Sequence, residues 1–209
     1  MNSRPRLVLA SASPRRAELL GSIGLEFEIR PPDVDETAFP HEPAHDYAAR
    51  LARAKASASF TSGAVVIAAD TTVVVDDEIL GKPADAGDAR SMLTRLAGRA
   101  HEVLTGVAVA ADPPSGSVDV VLGGRENPRM VETVTTTTVW MTELSPAEID
   151  WYVATGEPLD KAGAYGIQGA GGLFVTRVGG SYQNVVGLPL DVLRDVLAEL
   201  GFDLLAWGR

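Results

Sequence analysis

The chain has 209 residues, 45% of them apolar, enough to bury one substantial core, and its lack of cysteine excludes disulfides, thiolate catalysis and thiolate metal sites. Eighteen basic against 28 acidic residues give a formal charge of -10, which argues against a general nucleic-acid or anionic-membrane surface but leaves room for a free nucleotide in a local basic pocket. There is no run of about 18 apolar residues, and the apolar stretch 7–10 is too short for a signal peptide, so the expectation is a soluble, cytoplasmic protein forming one domain over 1–209.

Strand and helix signals alternate along the chain, which predicts an α/β fold with a mixed sheet and flanking helices. Residues 7–10 read as a buried strand, and Ser13-Pro14 as the N-cap and first-turn proline of a helix reaching about residue 23. A second helix is expected over 44–60. The apolar run 64–69 reads as a strand ending at Asp70, with strand character resuming over 72–75 before an acidic turn at Asp76-Asp77. A helix over 86–96 and strands over 103–111 and 131–141 follow. Pro146 opens a helix ending near Gly156, 173–178 reads as a strand, and Pro189 opens the last helix, to about residue 200. Between the two central strands, 112–130 is rich in Pro, Gly and Ser and reads as a surface excursion with a short strand at 118–122.

The segment GEPLDKAGAYGIQG (156–169) makes a poor helix and a poor strand. Its four glycines let the backbone turn sharply and approach a ligand, and Lys161, Tyr165 and Gln168 supply polar groups, so it reads as a binding loop. A second candidate site is Ser11-Ala12-Ser13-Pro14-Arg15-Arg16, at a strand-to-helix junction. Free N–H groups of a first helical turn, two hydroxyls and two guanidiniums suit a polyphosphate. Asp70 is a carboxylate delivered by an apolar strand, able to activate water or hold a hard divalent ion, and Glu36 is a second candidate acid. Lys55 follows Leu51 by four positions on a predicted helix, and Lys82 sits between Gly81 and Pro83; either can meet a phosphate. His41, His45 and His101 lack a persuasive metal-ligand spacing and read as structural. Neither a Gly-x-Ser-x-Gly elbow nor a Walker-type phosphate loop is present.

Six motifs in order, LASASPRR (9–16), VDET (34–37), ADT (69–71), ILGKP (79–83), GEPLDKAGAYGIQG (156–169) and GSYQNVVGLPL (180–190), together resemble the Maf proteins, which act as nucleoside triphosphate pyrophosphatases. The departure is the excursion 112–130, longer than the family's usual connection. The resemblance implies an elongated mixed α/β fold similar to the inosine triphosphate pyrophosphatases, with the nucleotide in a cleft between two lobes, and a homodimer. It also implies that Ser11 and Arg16 bind phosphates, and that Lys55 and Lys82 neutralise charge on the leaving pyrophosphate. Glu36 and Asp70 are expected to hold magnesium or manganese, with Asp70 as proton acceptor.

Family branches differ at the positions of Arg15, Thr71 and Gln168, and here they resemble the dTTP and UTP branch rather than the 7-methyl-GTP branch. An amide such as Gln168 both donates and accepts, matching the imide edge of uracil or thymine. A different class of function, a nucleotide-binding regulator of cell division or septum formation, uses the same pocket without turnover. It does not need both acids beside both lysines.

Overall fold

In the computed structural model, which describes residues 5–112 and 128–207, the strand signals come together in one seven-stranded mixed sheet. Its strands are β1 (Arg6–Leu9), β2 (Glu28–Ile29), β3 (Ala64–Val75), β4 (Glu78–Leu80), β5 (Ala100–Ala111), β6 (Arg129–Met141) and β7 (Val175–Gly179). The order is β2-β1-β3-β5-β6-β7, with β4 also paired to β3. β1 runs parallel to β2 and β3, and every other pairing is antiparallel. The helices are α1 (Pro14–Ser22), α2 (Ala44–Ser59), α3 (Ala86–Leu96), α4 (Pro146–Ala154), α5 (Tyr182–Val186), α6 (Leu190–Glu199) and α7 (Leu204–Trp207).

The period-2 alternation of β3 decides where the helices pack. Val65, Ile67 and Ala69 join Leu20 of α1 and Leu193 and Leu197 of α6 in one core cluster. Val66 and Ala68 face the other way, against Ala52 and Ala56 of α2. Further along the same strand, Val73 and Val75 pack with Leu93 and Leu96 of α3 and Ile149 and Tyr152 of α4. Apolar packing thus gathers toward both ends of the long strands, leaving Asp70, Thr71 and Thr72 between them. Helix α2 lies very close to the sheet, because its facing side chains are alanines and Gly106 opposes it. A Cβ at Gly106 would collide with the backbone carbonyl of Ala48.

Several elements differ from their sequence expectation. Asp70 does not end a strand: β3 runs unbroken through it to Val75, and Asp70 stands opposite Gly106 of β5. Thr71, Thr72 and three valines are strand formers, and the ladder to β5 satisfies their backbone, so one acid does not stop the strand. Ser13 occupies the N-cap of α1, yet its side chain caps nothing; its own N–H donates to Ser11 Oγ at 3.2 Å. The strand expected from residue 173 starts at Val175, because Ala170–Phe174 forms a 3-10 turn. The loop 156–169 winds through 3-10 turns at Glu157–Asp160 and Ala162–Ala164. Gly163 there adopts a left-handed φ of 67°, where a Cβ would press on Val73. β2, β4, α5 and α7 have two to five residues each, too short for periodicity to reveal. The strand expected at 118–122 lies outside the described residues.

Candidate active site

A gap in strand pairing makes the site. The register of β1 against β3 ends at Leu9 opposite Ile67, and that of β4 begins at Leu80 opposite Val73. On this edge residues 68–72 of β3 have no neighbouring strand among the described residues, and a cleft of about 430 Å³ opens there. Because β3 alternates, the notch receives Asp70 and Thr72 from the α2 face and Thr71 from the α1 face. The nine residues to which the family resemblance gives roles line it, namely Ser11, Arg15, Arg16, Glu36, Lys55, Asp70, Thr71, Lys82 and Gln168, and so does Tyr165 of the binding loop. Lys161 and Asp160 line it as well, giving five cationic side chains against three carboxylates on a chain whose formal charge is -10. The cleft therefore favours an anion that the rest of the surface repels.

At one end, Arg16 is buried and held by three bonds. Nε donates to Gly187 O at 2.8 Å, Nη1 to Ser11 Oγ at 3.1 Å and Nη2 to Thr71 Oγ1 at 3.0 Å. Burial pushes its guanidinium below the ordinary value, with the charge of Asp70 acting in the opposite direction, yet arginine stays charged at any working pH. A guanidinium has five N–H donors, so some remain for a ligand.

In the centre, the ammonium of Lys55 lies 2.6 Å from Asp70 Oδ1 and 2.6 Å from Glu36 Oε1. Lys55 and Asp70 are buried, whereas the Glu36 side chain is 50% exposed. Burial raises the Glu36 carboxyl, but the hydrogen bond and charge of Lys55, with Lys82 and Arg16 behind it, outweigh burial and hold the group below its usual value. Lys82 is exposed at the rim and forms no ion pair among the described residues. Glu36 and Asp70 offer hard oxygen donors converging on one point. No cluster of three or more His, Asp or Glu suited to a metal occurs among the described residues. Two carboxylates fit a magnesium-type ion that takes its remaining ligands from phosphate and water.

The opposite wall is the loop 156–169, and Glu157 anchors it. Its Oε1 accepts from Tyr152 Oη at 2.8 Å and Gly171 N at 3.3 Å, and its Oε2 accepts from Ala170 N at 2.9 Å. Lys161 Nζ donates to Glu157 O at 2.8 Å and to Asp160 Oδ1 at 2.6 Å. Across the cleft Arg15 meets Asp160 at 3.3 Å, tying α1 to this loop. Gln168 is exposed, and its side chain makes no hydrogen bond among the described residues. Behind the wall, Tyr165 Oη lies 2.7 Å from Nε2 of buried His101. His41 and His45 are both exposed.

A family model described as Maf-like protein matches residues 6–200. The chain belongs to the Maf-like protein family. It is similar to proteins named dTTP/UTP pyrophosphatase, including one from Anaeromyxobacter dehalogenans (strain 2CP-C) that is 54% identical over 200 residues, covering 96% of each chain. Another, from Myxococcus xanthus (strain DK1622), is 50% identical over 95% of this chain and 94% of its own. A third, from Moorella thermoacetica (strain ATCC 39073 / JCM 9320), is 48% identical over 98% of both.

Two neighbours of the site in this Maf-family chain escape a reading of the sequence. Tyr47 lines the cleft and donates to Glu36 O at 3.0 Å. Burial, then the charges of Asp70 and Glu36, push its phenol up to about 12, so it remains a donor. Arg50 holds Glu42 through both carboxylate oxygens at 2.6 and 2.7 Å, donates to Thr37 O at 3.1 Å and lies 4.2 Å over the Phe39 ring. Tyr47 sits two turns before Lys55, with Leu51 between, so the spacing itself carried the signal. Nothing comparable pointed to Arg50, whose partners lie in an irregular loop.

Proposed function

We propose that this chain is a nucleoside triphosphate pyrophosphatase that hydrolyses dTTP and UTP to the nucleoside monophosphate and pyrophosphate. The observation that carries this reading is the buried Lys55–Asp70 pair with Glu36, set in a cationic notch of the sheet, in a chain similar to proteins named for that activity.

The triphosphate lies among Ser11, Arg16, Lys55 and Lys82. Arg16 is already pinned by three bonds, so little ordering is needed when phosphate arrives. Asp70 orients a water and accepts its proton. The water oxygen forms a bond to the α-phosphorus while the bond from that phosphorus to the bridging oxygen breaks, and pyrophosphate leaves with the electron pair. Lys55 and Lys82 stabilise the charge that develops on the leaving group. A magnesium or manganese ion held by Glu36 and Asp70 would supply further positive charge against the phosphate oxygens. A binding-only regulator has no use for a buried carboxylate aimed with a lysine into a phosphate site.

The base lies toward Gln168, with Val73, Ile167 and Val185 as apolar walls. Among the three positions that separate the family's branches, Arg15 is engaged by Asp160 and Thr71 by Arg16, which leaves the Gln168 amide to read an imide edge. Thr71 acts through Arg16, and Arg15 through the loop it ties. The protein works in the cytoplasm as a homodimer. Among the described residues no helix is long and apolar enough to cross a membrane.

A panel of dTTP, UTP, CTP, GTP and 7-methyl-GTP with magnesium or manganese, resolving pyrophosphate from orthophosphate, tests this reading. Pyrophosphate release concentrated on dTTP and UTP, and reduced about 100-fold or more by Asp70→Asn, is the expected result. Tight binding without turnover overturns it in favour of a regulator.

A further inference from the structure

Lys55 stands where an ion bridging Glu36 Oε1 and Asp70 Oδ1 would stand. Its nitrogen lies 2.6 Å from one oxygen of each carboxylate. Magnesium–oxygen distances are about 2.0–2.1 Å, so an ion sharing those two oxygens overlaps the volume of the ammonium. The two cations exclude each other sterically and repel each other electrostatically.

Lys55 has few places to go. The side chains of Lys55 and Asp70 are 11% and 10% exposed, so withdrawal to open water would uncover a buried, unpaired carboxylate. Helix α2 packs directly on the sheet at Ala48 beside Gly106, so carrying the lysine outward with the helix would uncover that packed face. The remaining carboxylate of the cleft, Asp160, is already paired with Arg15 and Lys161. An acceptor for a displaced Lys55 must therefore come with the ligand, and a triphosphate oxygen is one. The ion depends on the ligand too, since the described residues present two carboxylates at this point and no third metal-ligating side chain.

From these constraints we infer that Lys55 is a built-in counter-ion that fills the metal position of the nucleotide-free protein, so that the divalent ion enters only together with a nucleotide whose phosphate takes over the lysine. This rests on the proposed pyrophosphatase reading and assigns an order to its binding steps. Lys55 then has two stations, between the carboxylates in the free protein and on the phosphate in the complex.

The test is manganese binding to the protein, read from the electron paramagnetic resonance signal of the free ion, with manganese alone and with the non-hydrolysable analogue α,β-methylene-dTTP, after subtracting the manganese that the analogue binds in a protein-free titration. The wild-type chain should bind manganese about 10-fold or more weakly alone than with the analogue present. Lys55→Met keeps length and apolar packing but removes the charge, and it should bind manganese alone about 10-fold or more tightly than wild type, a gain that Lys55→Met/Asp70→Asn loses. Equal wild-type affinity with and without the analogue overturns the inference, and that comparison needs no variant to fold. A Lys55→Met chain that retains the wild-type circular dichroism yet binds manganese no tighter also overturns it. Pyrophosphate release from dTTP by the same wild-type preparation keeps the two claims apart. Turnover with the wrong binding pattern sinks only the inference, and absence of turnover sinks the pyrophosphatase reading.

Discussion

Arg16 donates to Thr71 Oγ1 at 3.0 Å, and the position of that hydroxyl proton can be worked out from its neighbours. Thr71 Oγ1 also lies 2.9 Å from Thr105 Oγ1, whose single proton is used by Asn184 O at 2.9 Å. Thr71 must then donate to Thr105 and accept from Arg16, so its hydroxyl has no second proton for a ligand. The buried guanidinium of Arg16 on α1 is thereby connected through β3 and β5 to the carbonyl of Asn184.

Thr71→Val keeps the shape and removes this link. The expected outcome is a KM for dTTP raised about 5- to 10-fold with a smaller change in kcat, and a stability loss of about 1 kcal/mol. Steady-state pyrophosphate release and thermal unfolding measure both. An unchanged KM removes Thr71 from the positioning of Arg16.

Tyr47→Phe tests the attachment of the Glu36 segment to α2. The variant loses only the 3.0 Å bond to Glu36 O, so folding should survive while Glu36 is placed less sharply against Lys55. The expected loss in kcat is about 5- to 20-fold, with a higher metal concentration needed for half-maximal rate. Arg50→Ala, which frees Glu42, Thr37 O and Phe39 together, should do more on both counts. Wild-type kinetics in Tyr47→Phe would show that Arg50 alone fixes the segment.

The five longer helices were legible because their caps and periods are local: Pro14, Pro146 and Pro189 stand at or beside helix starts, and Leu51 with Lys55 marks one stripe of α2. The candidate residues that motif resemblance singles out each line the cleft. The notch itself was not legible. It depends on where β1 stops and β4 starts against β3, which is a matter of register between segments far apart in sequence. An acid interrupting an apolar run predicts a strand end at Asp70, although the β-branched residues after it argue for continuation. Arg50 and Glu157 act by long-range bonds to irregular backbone, for which composition leaves no trace.

Gln168→Glu exchanges an amide that donates and accepts for a carboxylate that only accepts. Against the imide edge of uracil or thymine it places like-polarity oxygens together, and kcat/KM for dTTP and UTP should fall about 10-fold or more. GTP turnover should change less than twofold. The same panel of nucleotides measures both, and a uniform loss across it would place Gln168 outside base recognition. The loop's fold is not at issue, since its anchor is Glu157 and Gln168 is exposed.

The acid limb of stability should belong in large part to His101. Burial lowers its imidazole from 6.5 to about 4, and Nε2 faces Tyr165 Oη while buried Nδ1 has no hydrogen-bond partner among the described residues. The folded protein thus resists a proton that the unfolded chain accepts. For a base whose folded value is depressed, stability is unaffected above the unfolded value of about 6.5, falls as the pH drops through the window from 6.5 to 4, and levels off below it. The loss is about 2 kcal/mol by pH 5 and about 3 kcal/mol at the end of the window. His101→Gln keeps a polar partner for Tyr165 without a titrating ring. Thermal unfolding followed from pH 7.5 to pH 4.5 should show a wild-type midpoint falling by several degrees more than that of the variant. Parallel curves for the two proteins would mean that the proton taken up on acid unfolding binds elsewhere.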